Sequence, residues 1–156
     1  MTRVREGAYA EHRLGGSLTG ARVARRAYDL STEHTPAIAT VRAQVLAALA
    51  EHVGPAPWHL TSWGNVNRHG DGNVPHHHGL HHNHWVAIYY VSVGDGARTT
   101  FFADAVAVAA AAPTLVIAPV PGLLLLFPAS LWHGVETSQG LGERITLAFN
   151  AWPSVT

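Results

Sequence analysis

Residues Pro75–Trp85, PHHHGLHHNHW, hold six of the chain's twelve histidines in eleven positions, and the fold turns on how they are read. A run of this kind is either a loose metal-binding tract or half of a built site whose other half lies elsewhere in the chain. Its surroundings carry the decision. Directly after it comes WVAIYYVSV, Trp85–Val93, a block of β-branched and aromatic residues that predicts a buried strand. In FPASLWHGVET, 55 residues after His78, stands a further histidine, His133, again just past an apolar run. Two strand-edge positions so far apart in sequence meet only if the sheet rolls up. The expected fold is therefore mainly β, a double-stranded β-helix or jelly roll.

Composition agrees with a single globular domain. The chain has 156 residues, enough to bury a core. Apolar residues make up 47% and charged residues 13%, which argues against disorder. The formal net charge is zero, so nothing global points to nucleic acid or to a membrane surface. There is no cysteine, which removes disulfides, thiolate metal sites and cysteine nucleophiles together. No G-x-S-x-G and no phosphate-binding glycine motif is present. The N-terminus lacks an apolar signal core, so a soluble cytoplasmic protein is expected. A homodimer is compatible with the sequence.

The elements follow from local signals. Arg3, Arg5, Arg13, Arg22, Arg25, Arg26 and Arg42 lie before residue 43 and read as a solvated or docking face, with Gly15, Gly16 and Gly20 cutting it into short pieces. Thr35 and Pro36 open a helix, Ile38, Val41, Val45, Leu46, Leu49 and Val53 fall near helical spacing, and Gly54-Pro55 close it. The helix should run from Pro36 to His52 and cover a sheet. From residue 58 onward short β-type runs alternate with turns: 58–67, 85–93, 99–102, 115–118, 123–127, 132–136 and 144–152. The stretch Ala105–Ala112 shows no helix caps and reads as a loop or single turn. This gives an N-terminal arm and helix over 1–57 and a jelly-roll core over 58–152.

On a strand, alternate residues share a face, so His76 and His78 should both face the barrel interior while His77 points away. With His133 they can occupy one triangular face of an octahedron and leave three positions for ligands and oxygen, the arrangement of non-haem Fe(II) oxygenases. Other ligand sets remain open: His69 with Asp71, a literal H-x-D, or His78 with His81, His82 or His84. Otherwise these last three read as surface or substrate-pocket residues. Trp63, Trp85 and Trp132 read as core, and His12, His34, His52 and His59 as exposed or locally hydrogen-bonded.

The stretches SWGNVNRHGDGNVPHHH, VAIYYV, PVPGLLLLFPASLWHGVET and GERITLAFNAW together resemble the small bacterial Fe(II)/2-oxoglutarate-dependent oxygenases of the prolyl-hydroxylase-like superfamily. The resemblance covers about 60% of the chain. It implies Fe(II) as metal, 2-oxoglutarate as cosubstrate and hydroxylation of an unactivated C–H bond. It also implies that Arg144, eleven residues after His133 in the pattern R-I-T, grips the distal carboxylate of 2-oxoglutarate. A guanidinium suits that role through bidentate, charge-assisted pairing. Thr146 on the same strand face, Asn65, and either Tyr89 or Tyr90 are implied as further pocket residues. The family's usual motif is H-x-D or H-x-E, and this chain has His78 at the third position. A site with only two protein ligands would leave room for a halide, as in the related halogenases. A three-histidine set is more typical of cupin dioxygenases, which use no 2-oxoglutarate. Gly70, five residues, then His76-x-His78 fits part of the cupin pattern, as does Gly122 followed by Pro128 and His133, but the acidic residue expected after the first pair is missing. The substrate implied is a small molecule or a peptide, with the β-carbon of a residue in a peptide natural product as the expected position of attack.

Overall fold

The structure is a computed structural model that describes residues 26–154. Arg3, Arg5, Arg13, Arg22, Arg25, His12 and the three early glycines lie outside that range. The elements in chain order are β1 (Arg26–Asp29), α1 (Pro36–His52), β2 (Trp58–Asn67), β3 (Asn73–His76), β4 (Trp85–Val93), β5 (Thr99–Phe102), α2 (Ala105–Ala109), β6 (Leu115–Ile117), β7 (Leu124–Pro128), β8 (Trp132–Val135) and β9 (Arg144–Pro153). They form a five-stranded major sheet, β1-β2-β9-β4-β7, and a four-stranded minor sheet, β3-β8-β5-β6. Every pairing is antiparallel. With β1 set aside, the two sheets are the four-plus-four double-stranded β-helix expected from the sequence.

Period-two alternation sorts the major sheet into two faces. Ala87 and Tyr89 of β4, Leu124 and Leu126 of β7, and Leu147, Phe149 and Ala151 of β9 pack outward against Val41, Val45 and Leu49 of α1. Those three helix residues are four apart, the spacing of one helix face. Thr35 caps the helix by accepting from the Ile38 N–H, Pro36 sits in its first turn, and Gly54 follows at φ +134°. Leu46, read as part of the apolar face, is exposed, because it is one position off the Val41–Val45–Leu49 line. Val86, Ile88 and Tyr90 of β4 face the other way, and with Phe101 and Phe127 they fill the space between the sheets.

Two further expectations are corrected. Ala105–Ala109 is a short helix, because Asp104 supplies the missing cap by accepting from the Ala107 N–H at 2.8 Å. Arg42 is not part of a solvated or docking face. Its guanidinium folds inward and donates to the carbonyls of Leu30 and Ser31 and to the Ser62 hydroxyl, tying α1 to β2. Among the described residues no helix is long and apolar enough to cross a membrane.

Candidate active site

His76 ends β3, His78 lies two residues past its end, and His133 is on the neighbouring β8. His76 and His133 are register partners. The approach of β3 to β8 depends on Gly134. A Cβ there would lie 2.9 Å from the Asn73 carbonyl oxygen and 3.1 Å from the Pro75 nitrogen. Ring centroids are 4.5 Å apart for His76–His133, 5.2 Å for His76–His78 and 5.1 Å for His78–His133. One nitrogen from each ring lies within 4.8 Å of the others. Nitrogens on one face of an octahedron about 2.1 Å from the ion stand about 3 Å apart, so the three rings would draw closer together to share one metal.

In all three rings Nδ1 is engaged by an oxygen acceptor. His76 Nδ1 is 2.8 Å from the Val74 carbonyl, His133 Nδ1 is 3.0 Å from the Leu131 carbonyl, and His78 Nδ1 is 2.5 Å from Asn150 Oδ1. An acceptor at Nδ1 places the ring proton there and leaves the lone pair on Nε2, the form a metal requires. The donor chemistry therefore fits a divalent metal.

His78 reaches this position by a route that strand alternation does not provide. It sits in a bend, with its backbone N–H bonded to the Ala129 carbonyl and its ring stacked on Trp63 at 5.7 Å. Trp63, read as core, is thus a wall of the site. His77 does point away from the cluster, edge-on to Trp132 at 4.7 Å. His69 is exposed and meets the Gln139 carbonyl, while Asp71 accepts from the Arg68 N–H in a local turn, so the structure does not bring the H-x-D pair to the cluster. His81 and His82 are exposed, and His84 packs against His81 and Trp152. The pKa of His84 is lowered by its partial burial and then by its neighbours His81 and His82.

The histidines line one end of a small, partly open pocket. Its floor is one face of β9, where Arg144, Thr146 and Ala148 succeed one another at alternate positions. Arg144 is 2% exposed. It donates to Asn67 Oδ1 at 3.3 Å and to Thr99 Oγ1 at 3.2 Å, and its guanidinium carbon lies 5.1 Å from the centroid of the Tyr90 ring. Burial lowers its pKa, and Tyr90 acts in the opposite direction. Its Nε is buried without a hydrogen-bond partner, and among the described residues no carboxylate pairs with it. Among the described residues no acidic side chain lines the pocket. A buried guanidinium stays charged and calls for an anion.

Of the two tyrosines, Tyr90 is the inward one, fully buried with its hydroxyl 2.6 Å from Thr99 Oγ1. Tyr89 packs on the helix side. Asn65 lines the pocket and donates to Thr146 Oγ1 at 3.4 Å. Asn67, Thr99, Trp63 and Asn150 were missed by sequence reasoning. The alternation that selects Asn65 on β2 also selects Trp63 and Asn67, and the one that selects Arg144 and Thr146 on β9 runs on to Asn150. Thr99 carries no such signal.

The family model described as "Putative 2OG-Fe(II) oxygenase" matches residues 61–150. A prolyl-4-hydroxylase from Pseudomonas putida superposes with a TM-score of 0.64 at 17% identity, over 84% of this chain and 73% of that one. HygX from Streptomyces hygroscopicus, solved with nickel, 2-oxoglutarate and hygromycin B bound, gives 0.59 at 17% identity, over 83% and 70%. An oxidoreductase of the 2OG-Fe(II) oxygenase family from Burkholderia pseudomallei gives 0.61 at 14% identity, over 82% and 65%. At these identities the superpositions show the fold. No curated protein matches the chain.

Proposed function

Because the chain belongs to the 2OG-Fe(II) oxygenase family, with Fe(II) as metal and 2-oxoglutarate as cosubstrate, we propose that His76, His78 and His133 ligate the iron and that Arg144 holds the distal carboxylate of 2-oxoglutarate. The observation that carries this reading is the pairing of two features in one pocket. At one end stand three histidines with their Nδ1 atoms engaged, and at the other a buried guanidinium without a carboxylate partner among the described residues. When bound, Fe(II) with 2-oxoglutarate supplies the oxidising chemistry that inserts oxygen into an unactivated C–H bond.

The protein's own part is binding and orientation. Three neutral imidazoles leave the dication's charge uncompensated, and Arg144 adds another positive charge to a pocket that no acidic side chain lines among the described residues. A dicarboxylate such as 2-oxoglutarate would pair one carboxylate with the guanidinium and bring the other to the metal, whose charge it offsets in part. Asn67 and Thr99 hold the guanidinium from behind, and Thr146 presents a hydroxyl along the same face. Trp63, Val86 and Ile88 give the pocket apolar walls that exclude water.

The substrate side is read from a second groove that shares His78 and is lined by His84, Trp85, Asn150 and Trp152. Among the described residues its lining carries no acidic or basic side chain other than the imidazoles. A neutral side chain of a peptide fits it, with hydroxylation at its β-carbon as the proposed outcome.

The test is an anaerobic titration of the Fe(II) protein with 2-oxoglutarate, following the metal-to-ligand charge-transfer band, then admission of oxygen and measurement of succinate. Binding and succinate formation are expected. A protein that binds iron but shows neither overturns the role given to Arg144 and the reading of the pocket as a 2-oxoglutarate site.

A further inference from the structure

We infer that Asn150 is a positioning residue for His78, setting its ring orientation and tautomer for metal binding; this rests on reading His78 as a ligand. The three histidines are not oriented by the same means. His76 and His133 each engage the carbonyl of the residue two positions earlier in their own chain segment, Val74 and Leu131. Those acceptors are backbone and come with the local conformation. His78 lies past the end of β3, and its Nδ1 acceptor is a side chain 72 residues later, Asn150 Oδ1, at 2.5 Å.

Asn150 suits this task because of where it sits. It is on β9 in the middle of the major sheet, paired with Thr61 of β2 on one side and Val86 of β4 on the other. Its backbone is fixed by both neighbours, so its amide oxygen is a rigid mark for a ring carried on a bend. An amide oxygen only accepts, which requires the imidazole proton at Nδ1 and directs Nε2 toward His76 and His133. Asn150 thus does for His78, from the opposite sheet, what a carbonyl does for the other two. Outer partners of metal-bound histidines typically change metal affinity by about 10–100-fold.

Three measurements test this. In metal-free wild type, long-range ¹⁵N–¹H NMR of the imidazoles should show His78 protonated at Nδ1. Calorimetric titration with Ni(II), a redox-inert probe, should give Asn150→Leu an affinity about 10–100-fold below wild type. Asn150→Asp keeps an acceptor at the same place and should restore binding to wild-type strength or above. A His78 ring protonated at Nε2 overturns the inference and needs no variant. So does an Asn150→Leu protein that binds Ni(II) as wild type does, or an equal loss in the Leu and Asp variants, which marks a merely structural role. If the wild type itself binds no Ni(II), the reading of the three histidines as a metal site fails, and this inference falls with it.

Discussion

The two halves of the histidine run are made of the same residue type and end differently. His76 and His78 converge on His133, each with an acceptor at Nδ1, whereas His81 and His82 are exposed and His84 packs against His81 and Trp152. The first half is tied to two other strands, through the His76–His133 register pair and the Asn150 contact. The second half closes a local turn, His84 N–H to the His81 carbonyl. Imidazoles are common to both; among the described residues, Nδ1 acceptors that select one tautomer are seen on His76 and His78, a local carbonyl for the one and the distant Asn150 for the other. Metal affinity should follow that distinction and not the number of histidines.

The sharpest way to break the comparison is to remove the distal partner. His133→Ala should abolish tight Fe(II) binding, a loss larger than the roughly 100-fold that an outer-shell change produces. Replacing His81, His82 and His84 together by Ala should leave the iron stoichiometry at one per chain. Equal loss in both proteins, measured by equilibrium dialysis, would turn the run back into a loose tract.

Arg144→Leu tests whether the far end of the pocket is independent of the metal end. Its affinity for 2-oxoglutarate should fall on the order of a hundredfold or more, because a carboxylate is desolvated without a charge-assisted partner. Iron binding should survive. Arg144→Lys should recover part of the affinity, since it keeps the charge and loses the fork. Anaerobic titration of the charge-transfer band reads both.

Gly134→Ala probes the close approach that joins His76 to His133. The added methyl would press on the Asn73 carbonyl and on Pro75. Overpacking of this kind costs about 1–3 kcal/mol, to be read from urea unfolding, and metal affinity should weaken with it as β3 moves off β8. The smallest effect is expected for His77→Ala. That ring faces Trp132 and not the cluster, so iron binding should stay at the wild-type level.

Local chemistry made much of the molecule legible. The helix from Pro36 to His52 carries its own cap, its proline and its closing glycine, and the strands over 58–67 and 85–93 are bounded by turn residues on both sides. The H-x-H pair, the distal histidine and the arginine eleven residues on are set by spacing, and the structure gathers all four around one pocket. Elsewhere local signals were too weak. Strand β3 is four residues with a proline inside, and it exists because β8 pairs with it. The helix after Asp104 depends on one capping side chain that the alanine run obscured.

Residue type, alternation and short-range caps act within a few positions of the chain, and they mark which side chains could do chemistry. Short β-type runs between turn signals, with the two histidine sites next to strands, also pointed to the rolled β architecture. Which histidines converge, which tyrosine faces inward and which asparagine meets His78 come from the packing of distant strands. Each of those depends on a partner contributed by another strand: Thr99 beside Tyr90, Asn67 behind Arg144, Asn150 across from His78. Such contacts arise from how strands distant in sequence register against one another, and no property of either residue alone encodes the distance between them.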